Sequence, residues 1–222
     1  MTYILQIETA TRNCSVALAK DGQTLLCKEI AESGYSHAEK LHVFIEAVLK
    51  EAQLAFKDLS AIAVSQGPGS YTGLRIGVSA AKGLCYSLNI PLLAIDTLET
   101  LARKLNIENG SVIPMIDARR MECYTAVFDA THQKIKAIQS EIIDENSFSE
   151  IEGVIHFVGD GAAKCKTVLT NDKFVFHDEI EFPSANEMSA IAYDKYQKND
   201  TVDVAYFEPF YLKDFMMPSA KV

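Results

Sequence analysis

The sequence has too little positive charge for a protein that binds nucleic acid by itself. It carries 21 Lys and Arg against 30 Asp and Glu, which gives a formal net charge of −9. Recognition of phosphates requires a cationic surface, so this balance argues against a free-standing nucleic-acid-binding protein. The acidity is unevenly spread, because residues 1–100 hold 8 basic and 10 acidic residues and residues 101–222 hold 13 and 20.

Long apolar runs are also missing. No segment approaches the roughly 18 consecutive apolar residues that a membrane helix requires. Residues 1–8 contain no basic region and no small-residue cleavage site, so we expect no signal peptide and a cytoplasmic protein without a membrane partner. The hydrophobic content of 48% is ordinary for a globular chain of 222 residues, which is long enough to bury a core without disulfides.

Motifs for metal and redox chemistry are absent as well. The five cysteines are widely spaced and none forms a Cys-x-x-Cys pair, so we expect reduced thiols and no zinc site. His37 and His42 lie five positions apart, about 140° around a helix, whereas a helical metal-binding pair needs a spacing of four. The sequence therefore predicts no metal.

Hydrophobic periodicity and turn residues predict two βββ units, each followed by alternating helices and strands. This is the pattern of an α/β protein with two related lobes, which we place at 1–105 and 106–222, with the tail returning to the first lobe. Strands are predicted at 3–8, 14–19, 24–31, 61–65, 91–95, 112–116, 122–128, 134–143, 154–158 and 174–176. Helices are predicted at 37–53, with Ser36 as N-cap, at 72–88, ended by Asn89, at 98–105 and 162–169, and at 183–198, capped by Ser184.

A glycine-rich segment, SQGPGSYTGLR at 65–75, connects a predicted strand to a predicted helix, where phosphate loops are found. It is not a P-loop, because Gly67 and Gly73 are six positions apart and no lysine follows. The third glycine of a dinucleotide fingerprint is also misplaced, and no Gly-x-Ser-x-Gly elbow occurs. A rigid capped turn and an anion or nucleotide contact through Gly67, Gly69 and Ser70 both remain open.

The helix that follows has small residues every four positions, at Gly73, Gly77 and Ala81. Each interior glycine costs a helix about 1 kcal/mol relative to alanine, so this face is expected to pack closely against another backbone. That backbone belongs either to the same chain or to a partner. Arg75, Ile76 and Lys82 flank this face and could set the choice of partner by charge.

Two carboxylates end the first strands of the two predicted lobes. Glu8 stands where actin-like folds place an aspartate that handles magnesium, and Asp117 is its counterpart. A capped turn or an acid at a strand edge is the alternative role for either side chain. Gly159 and Gly161 follow a strand and open a helix, where they could face an adenosine.

Together these segments resemble the bacterial TsaB (YeaZ) family, inactive paralogues of the threonylcarbamoyl transferase TsaD. The resemblance runs nearly end to end, and residues 65–84 are its most specific part. The matching segments are ILQIETATRNCSVAL at 4–18, SHAEKL at 36–41, SQGPGSYTGLRIGVSAAKGL at 65–84, PMIDARRMECYTAVF at 114–128, FVGDGA at 157–162 and PFYL at 209–212.

The resemblance implies an actin/Hsp70-like ATPase (ASKHA) fold and a role in making N6-threonylcarbamoyladenosine on tRNAs that read codons beginning with A. It implies a non-catalytic subunit that binds and activates a TsaD-like transferase, helps to recruit a TsaE-like ATPase, forms a homodimer when alone, and meets tRNA only through the complex. The first two long helices would form the interface, which gives these candidate residues: His37, Leu41, Phe44, Gly73, Leu74, Arg75, Ile76, Gly77, Ala80, Ala81 and Lys82.

One departure from the family pattern concerns nucleotide chemistry. The first strand of the family usually ends in Ile-Asp-Thr, and here Glu8 replaces the aspartate, which weakens independent ATP hydrolysis. No cofactor is expected, although the resemblance leaves room for ATP or ADP at the subunit junction, near Gly67–Gly73 or Gly159–Gly161. The alternative is an autonomous ATPase or small-molecule kinase of the same fold. ATP turnover above about 1 per second by the purified chain would favour that alternative.

Overall fold

The computed structural model describes residues 1–31 and 37–213, in which ten strands form two five-stranded sheets. The first sheet has the order β3-β2-β1-β4-β5 and the second the order β10-β9-β6-β7-β8. The strands are β1 Tyr3–Glu8, β2 Asn13–Lys20, β3 Gln23–Ala31, β4 Ala61–Gly67, β5 Leu92–Asp96, β6 Ser111–Asp117, β7 Glu122–Asp129, β8 Lys134–Ile142, β9 Ile155–Val158 and β10 Phe174–Phe176. The α-helices are α1 His37–Glu51, α2 Tyr71–Leu88, α3 Thr97–Ala102, α4 Ala162–Cys165 and α5 Met188–Gln197. The predicted N-cap Ser36 lies outside the described residues.

Each sheet combines an antiparallel meander with a parallel extension. In the first sheet β1 pairs antiparallel with β2, and β2 with β3, through a turn at Asp21 and Gly22 in which both residues have positive φ. β1, β4 and β5 are parallel, so their carboxyl ends meet at one edge of the sheet. The second sheet repeats this arrangement with β6, β9 and β10. The predicted succession of βββ units is confirmed.

The two faces of the first sheet are covered by helices from different parts of the chain. α1 and α2 pack against one face of this sheet. Leu5, Ile7, Val16 and Val64 of the sheet belong to the buried core on that side. α5, from the end of the chain, covers the other face. Its contacts form a separate buried cluster of Met188, Ile191 and Ala192 with Ile4, Ala61, Ala63, Leu93 and Ile95.

α3, from the first half of the chain, packs on the second sheet. Although it follows directly after β5, Leu98, Leu101 and Ala102 pack against Val112 and Phe128 of the second sheet. The last helix of each half therefore covers the sheet of the other half. The division into lobes at residue 105 stays a prediction.

Several predicted helix ends differ from the observed ones. α4 stops at Cys165 rather than at Leu169, because the chain continues in turns in which the Val168 and Leu169 amides both donate to the Cys165 carbonyl oxygen. Ser184 does act as an N-cap, but it caps a 3₁₀ turn, Ala185–Glu187, and α5 starts only at Met188.

The described part of the tail runs back along the first sheet and α2. Val202 forms an isolated bridge to Leu92. Lys82 Nζ donates to the Phe207 carbonyl oxygen at 2.9 Å, and the Phe210 amide donates to the Gln66 carbonyl oxygen at 2.7 Å. Within residues 1–31 and 37–213, no helix combines the length and apolarity needed to cross a membrane.

Candidate functional site

Glu8 ends β1 and is completely buried. Its Oε1 accepts hydrogen bonds from the Ala10 amide at 2.5 Å and from Ser65 Oγ at 3.0 Å. Burial raises the pKa of the Glu8 carboxyl to about 7, although these hydrogen bonds act in the opposite direction. Oε2 has no hydrogen-bond partner among the residues that the structure describes. The carboxyl thus caps the turn after β1, which is one of the two roles that the sequence left open.

Asp117, the counterpart of Glu8 in the second sheet, is exposed and held by its own chain. It forms an ion pair with Lys164, and Oδ1 accepts from the Arg119 amide at 2.8 Å. The Asp117 amide in turn donates to Asp160 Oδ1 at 3.0 Å. Lys164 therefore compensates one negative charge at this strand end.

The glycine-rich segment between β4 and α2 is a capped turn. The Gly67 amide donates to Thr97 Oγ1 at 3.1 Å, and the Ser70 amide donates to the Ala10 carbonyl oxygen at 2.7 Å. Ser70 Oγ accepts from the Gly73 amide at 3.3 Å and forms the N-cap of α2. These three amides point into the protein rather than toward an anion.

The remaining candidate nucleotide contacts are also occupied by backbone. A Cβ at Gly69 would collide with the Ala10 carbonyl oxygen of the β1–β2 turn. The Gly159 amide donates to the Ile180 carbonyl oxygen at 2.7 Å, and the Gly161 amide donates to the Met115 carbonyl oxygen at 3.0 Å. The glycines allow close packing of the chain on itself, and a nucleotide contact stays a prediction.

The small-residue face of α2 packs inside its own chain. A Cβ at Gly73 would collide with the Thr9 carbonyl oxygen, and one at Gly77 with Thr9 Oγ1. Thr9 Oγ1 donates to the Gly73 carbonyl oxygen at 2.8 Å, which fixes α2 to the end of β1. Leu74 and Ala81 are buried as well. These four residues contact the core and offer no side-chain surface to a partner.

Two of the three candidate residues of α1 are buried as well. His37 is fully buried, and its Nε2 lies 2.8 Å from the Thr11 carbonyl oxygen. Burial lowers the pKa of His37, which favours the neutral ring. Leu41 belongs to the core, whereas Phe44 is half-buried at its edge. Of the α1 candidates, Phe44 alone offers part of its side chain to solvent.

The accessible surface of α2 is a row of residues on the opposite side of the helix. We call Thr72, Arg75, Ser79, Lys82 and Tyr86 the outer stripe of α2. Its spacing of three and four residues is a helical pattern that the sequence displays. Tyr86 is 85% exposed, which is unusual for so large an aromatic side chain. Ile76 and Ala80, from the predicted interface, lie beside the stripe and are half-buried.

Two shallow depressions adjoin the outer stripe. One, of about 570 Å³, lies between α2 and the tail and is lined by Lys82, Gly83, Tyr86, Asp203, Val204 and Ala205. The other, of about 410 Å³, is lined by Tyr71, Thr72, Arg75, Ile76 and Ser79. The predicted interface contains Arg75, Ile76 and Lys82 of these linings and does not contain Tyr86 or the tail residues.

Aromatic stacking orders the start of this surface. The Arg75 guanidinium lies 4.8 Å from the centre of the Tyr71 ring, and the Tyr71 and Tyr211 rings are 4.9 Å apart. Such contacts hold an arginine in one position and reduce the entropy that it would lose on binding a partner.

Comparison with known proteins gives relatives along the whole chain. A family model described as TsaD, tRNA N6-adenosine threonylcarbamoyltransferase, matches residues 29–217. The tRNA threonylcarbamoyladenosine biosynthesis protein TsaB of Escherichia coli K12 is 31% identical over 221 residues, covering 95% of this chain and 94% of that protein. The TsaB protein of Haemophilus influenzae is 27% identical, with coverages of 95% and 93%.

Solved structures agree with these relatives. YeaZ from Pseudomonas aeruginosa superposes with a TM-score of 0.83 at 25% identity, covering 96% of this chain and all of that chain. The ethanolamine utilization protein EutJ from Carboxydothermus hydrogenoformans has a TM-score of 0.52 at 12% identity, with coverages of 86% and 90%, and is similar in fold alone. The α/β actin-like ATPase fold predicted from the sequence is confirmed.

Proposed function

Because the chain belongs to the TsaB (YeaZ) family, we propose that it serves tRNA threonylcarbamoyladenosine biosynthesis as an accessory subunit rather than as the catalyst. The observation that carries this proposal is the similarity to the E. coli TsaB protein over nearly the full length of both chains. The transferase itself, a TsaD-like protein, is the proposed partner.

Non-catalytic function is supported by the two strand ends where an ATPase of this fold would work. Glu8 is enclosed and caps a turn, and Asp117 is neutralised by Lys164. The neighbouring amides of Gly67, Ser70 and Gly161 are bonded within the chain. An autonomous ATPase or kinase would require these groups to reach a nucleotide.

The proposed mode of action is to hold the transferase in its working conformation. By linkage, a subunit can do this only if it binds that conformation more tightly than the others. We assign the contact to the outer stripe of α2 with Phe44 and the adjoining tail. The same surface would join two copies when the chain is alone, and the pair with the transferase would recruit a TsaE-like ATPase.

The tRNA is proposed to be held mainly by the partners. With a net charge of −9, this chain repels a phosphate backbone at long range. Most of the excess acid lies in residues 101–222, outside the sequences of α1 and α2. Assembly with a protein is therefore easier than direct contact with RNA.

Co-purification of the TsaD-like transferase of the same organism tests the contact surface. Ser79 is exposed in the middle of the outer stripe, so Ser79→Arg places a long charged side chain in the proposed contact. We expect this variant to lose the transferase and to keep the unfolding temperature of the parent chain. Loss of capture would be at least tenfold, or about 1.4 kcal/mol of binding free energy.

Ser149→Arg is the matched control, because Ser149 is exposed beyond β8 in the second half of the chain. This variant is expected to capture the transferase as the parent does. Equal capture by Ser79→Arg and by the parent would contradict the proposed surface.

A further inference from the structure

Two buried thiols meet between the second sheet and α4. Cys123 on β7 and Cys165 at the end of α4 have their Sγ atoms 3.7 Å apart, and neither residue is exposed. Cys27 and Cys85, by contrast, face oxygen atoms of Ser184 and Pro91. The function proposed above uses neither member of the Cys123–Cys165 pair.

The surroundings of the pair allow close approach. Both thiols point at the Gly161 carbonyl oxygen, at 3.6 Å from Cys123 Sγ and 3.3 Å from Cys165 Sγ. A Cβ at Gly161 would lie 3.0 Å from Cys123 Sγ, so a side chain there would crowd the sulfur. The glycine thus leaves room for the two sulfurs.

The two thiols differ in their readiness to ionise. The hydrogen bond from Cys123 lowers the pKa of the Cys165 thiol, and the charge of Lys164 acts in the same direction. That hydrogen bond, together with burial, raises the pKa of Cys123. Cys165 is therefore the thiol that ionises more readily, and a lowered thiol pKa favours the nucleophilic thiolate form.

We propose that Cys123 and Cys165 form a dithiol that hydrogen peroxide, or another small hydroperoxide, oxidises to an intramolecular disulfide. The Cys165 thiolate attacks one peroxide oxygen, the O–O bond breaks, and hydroxide leaves and takes up the proton that Cys165 had lost. Cys123 then attacks the sulfur of the Cys165 sulfenic acid, the S–O bond breaks, and a second water leaves with the Cys123 proton. Two thiols lose two electrons, and the peroxide gains them.

The bond requires the sulfurs to approach by about 1.7 Å, since a disulfide is about 2.0 Å long. β7 is fixed between β6 and β8, whereas α4 is a single turn followed by irregular chain. α4 is therefore the element that moves. Because neither thiol is exposed, a small peroxide reaches the pair more easily than a bulky disulfide oxidant does.

Peroxide treatment of the full chain, followed by peptide mapping, tests the pair. The expected product is a linked pair of peptides containing Cys123 and Cys165. Its mass is about 2 Da lower than the sum of the two reduced peptides, because two hydrogens are lost. Thiol titration after denaturation should show two thiols fewer than in the untreated chain, and a reductant should restore them.

Cys123→Ser and Cys165→Ser are each expected to lose the linked peptide. Cys85→Ser, which removes a buried thiol of α2, is expected to form the link as the parent does. Mapping of the parent chain does not depend on how these variants fold. Recovery of the parent with all its thiols reduced, or with a link that involves Cys27, would overturn the proposal.

Discussion

The ionised carboxyl group of Glu8 destabilises the folded state. Its carboxyl is enclosed at the end of β1, with hydrogen bonds to one oxygen only among the described residues. The pKa lies at about 7 in the folded chain and at the ordinary value of 4.5 when exposed. The folded state therefore binds the proton more tightly. The stabilising contribution of the protonated Glu8 carboxyl is fully present below pH 4.5 and is lost as pH rises through about 7.

Glu8→Gln is expected to stabilise the protein at pH 8, because the amide retains an oxygen for Ala10 and Ser65 and carries no charge. The gain in unfolding free energy should be on the order of 1–3 kcal/mol, and the pH dependence between pH 5 and 8 should flatten. Urea unfolding across this range measures both. Glu152→Gln, at an exposed position, is the control and should change neither. A less stable Glu8→Gln at pH 8 would mean that the charge itself is needed.

At the scale of elements, α2 shows what the sequence predicts and where it stops. Its predicted bounds of 72–88 differ from the observed Tyr71–Leu88 by one residue, and in the structure Ser70 caps the start and Asn89, with φ 54°, the end. Its small-residue face was also visible. The partner of that face was not, because it is Thr9, 64 residues earlier in the chain, and periodicity carries no information about such pairings. The predicted interface therefore includes two glycines that pack against Thr9, and it does not include the exposed Tyr86. The interface itself stays a prediction.

Two glycines of α2 give matched variants. Gly77→Ala brings a methyl group against Thr9 Oγ1, whereas at Gly83 nothing lies within 4 Å of an added Cβ. We expect Gly77→Ala to destabilise the fold by about 2–4 kcal/mol despite a better helix propensity, through overpacking and loss of the Thr9 hydrogen bond. Gly83→Ala should stabilise it by up to about 1 kcal/mol. Urea unfolding decides, and equal effects at the two positions would contradict this packing.

For the whole molecule, the order of elements was predictable and the exchange of α3 and α5 was not. Alternating strands and helices define the βββ units, but an apolar helix face fits either sheet equally well on the basis of pattern alone. In the structure each half supplies a helix to the other. The two halves thus depend on one another for their cores.

A fragment of residues 1–105 is expected not to fold cooperatively. Without α5, the face formed by Ile4, Ala61, Ala63, Leu93 and Ile95 would be uncovered, and an apolar patch of this kind favours aggregation. Size-exclusion chromatography and urea unfolding of the fragment, compared with the full chain, measure this. A monomeric fragment with a sharp unfolding transition would show that the first half is self-sufficient.

The position of α5 late in the sequence also affects the chain during its synthesis. The strands of the first sheet are complete by Asp96, but the helix that covers their second face begins only at Met188. At a synthesis rate of about 5–20 residues per second, the nascent chain carries that uncovered face for roughly 5 to 20 seconds. During this interval the apolar face of the first sheet is exposed on the growing chain. Synonymous codon changes that slow translation between Asp96 and Met188 would lengthen this exposure.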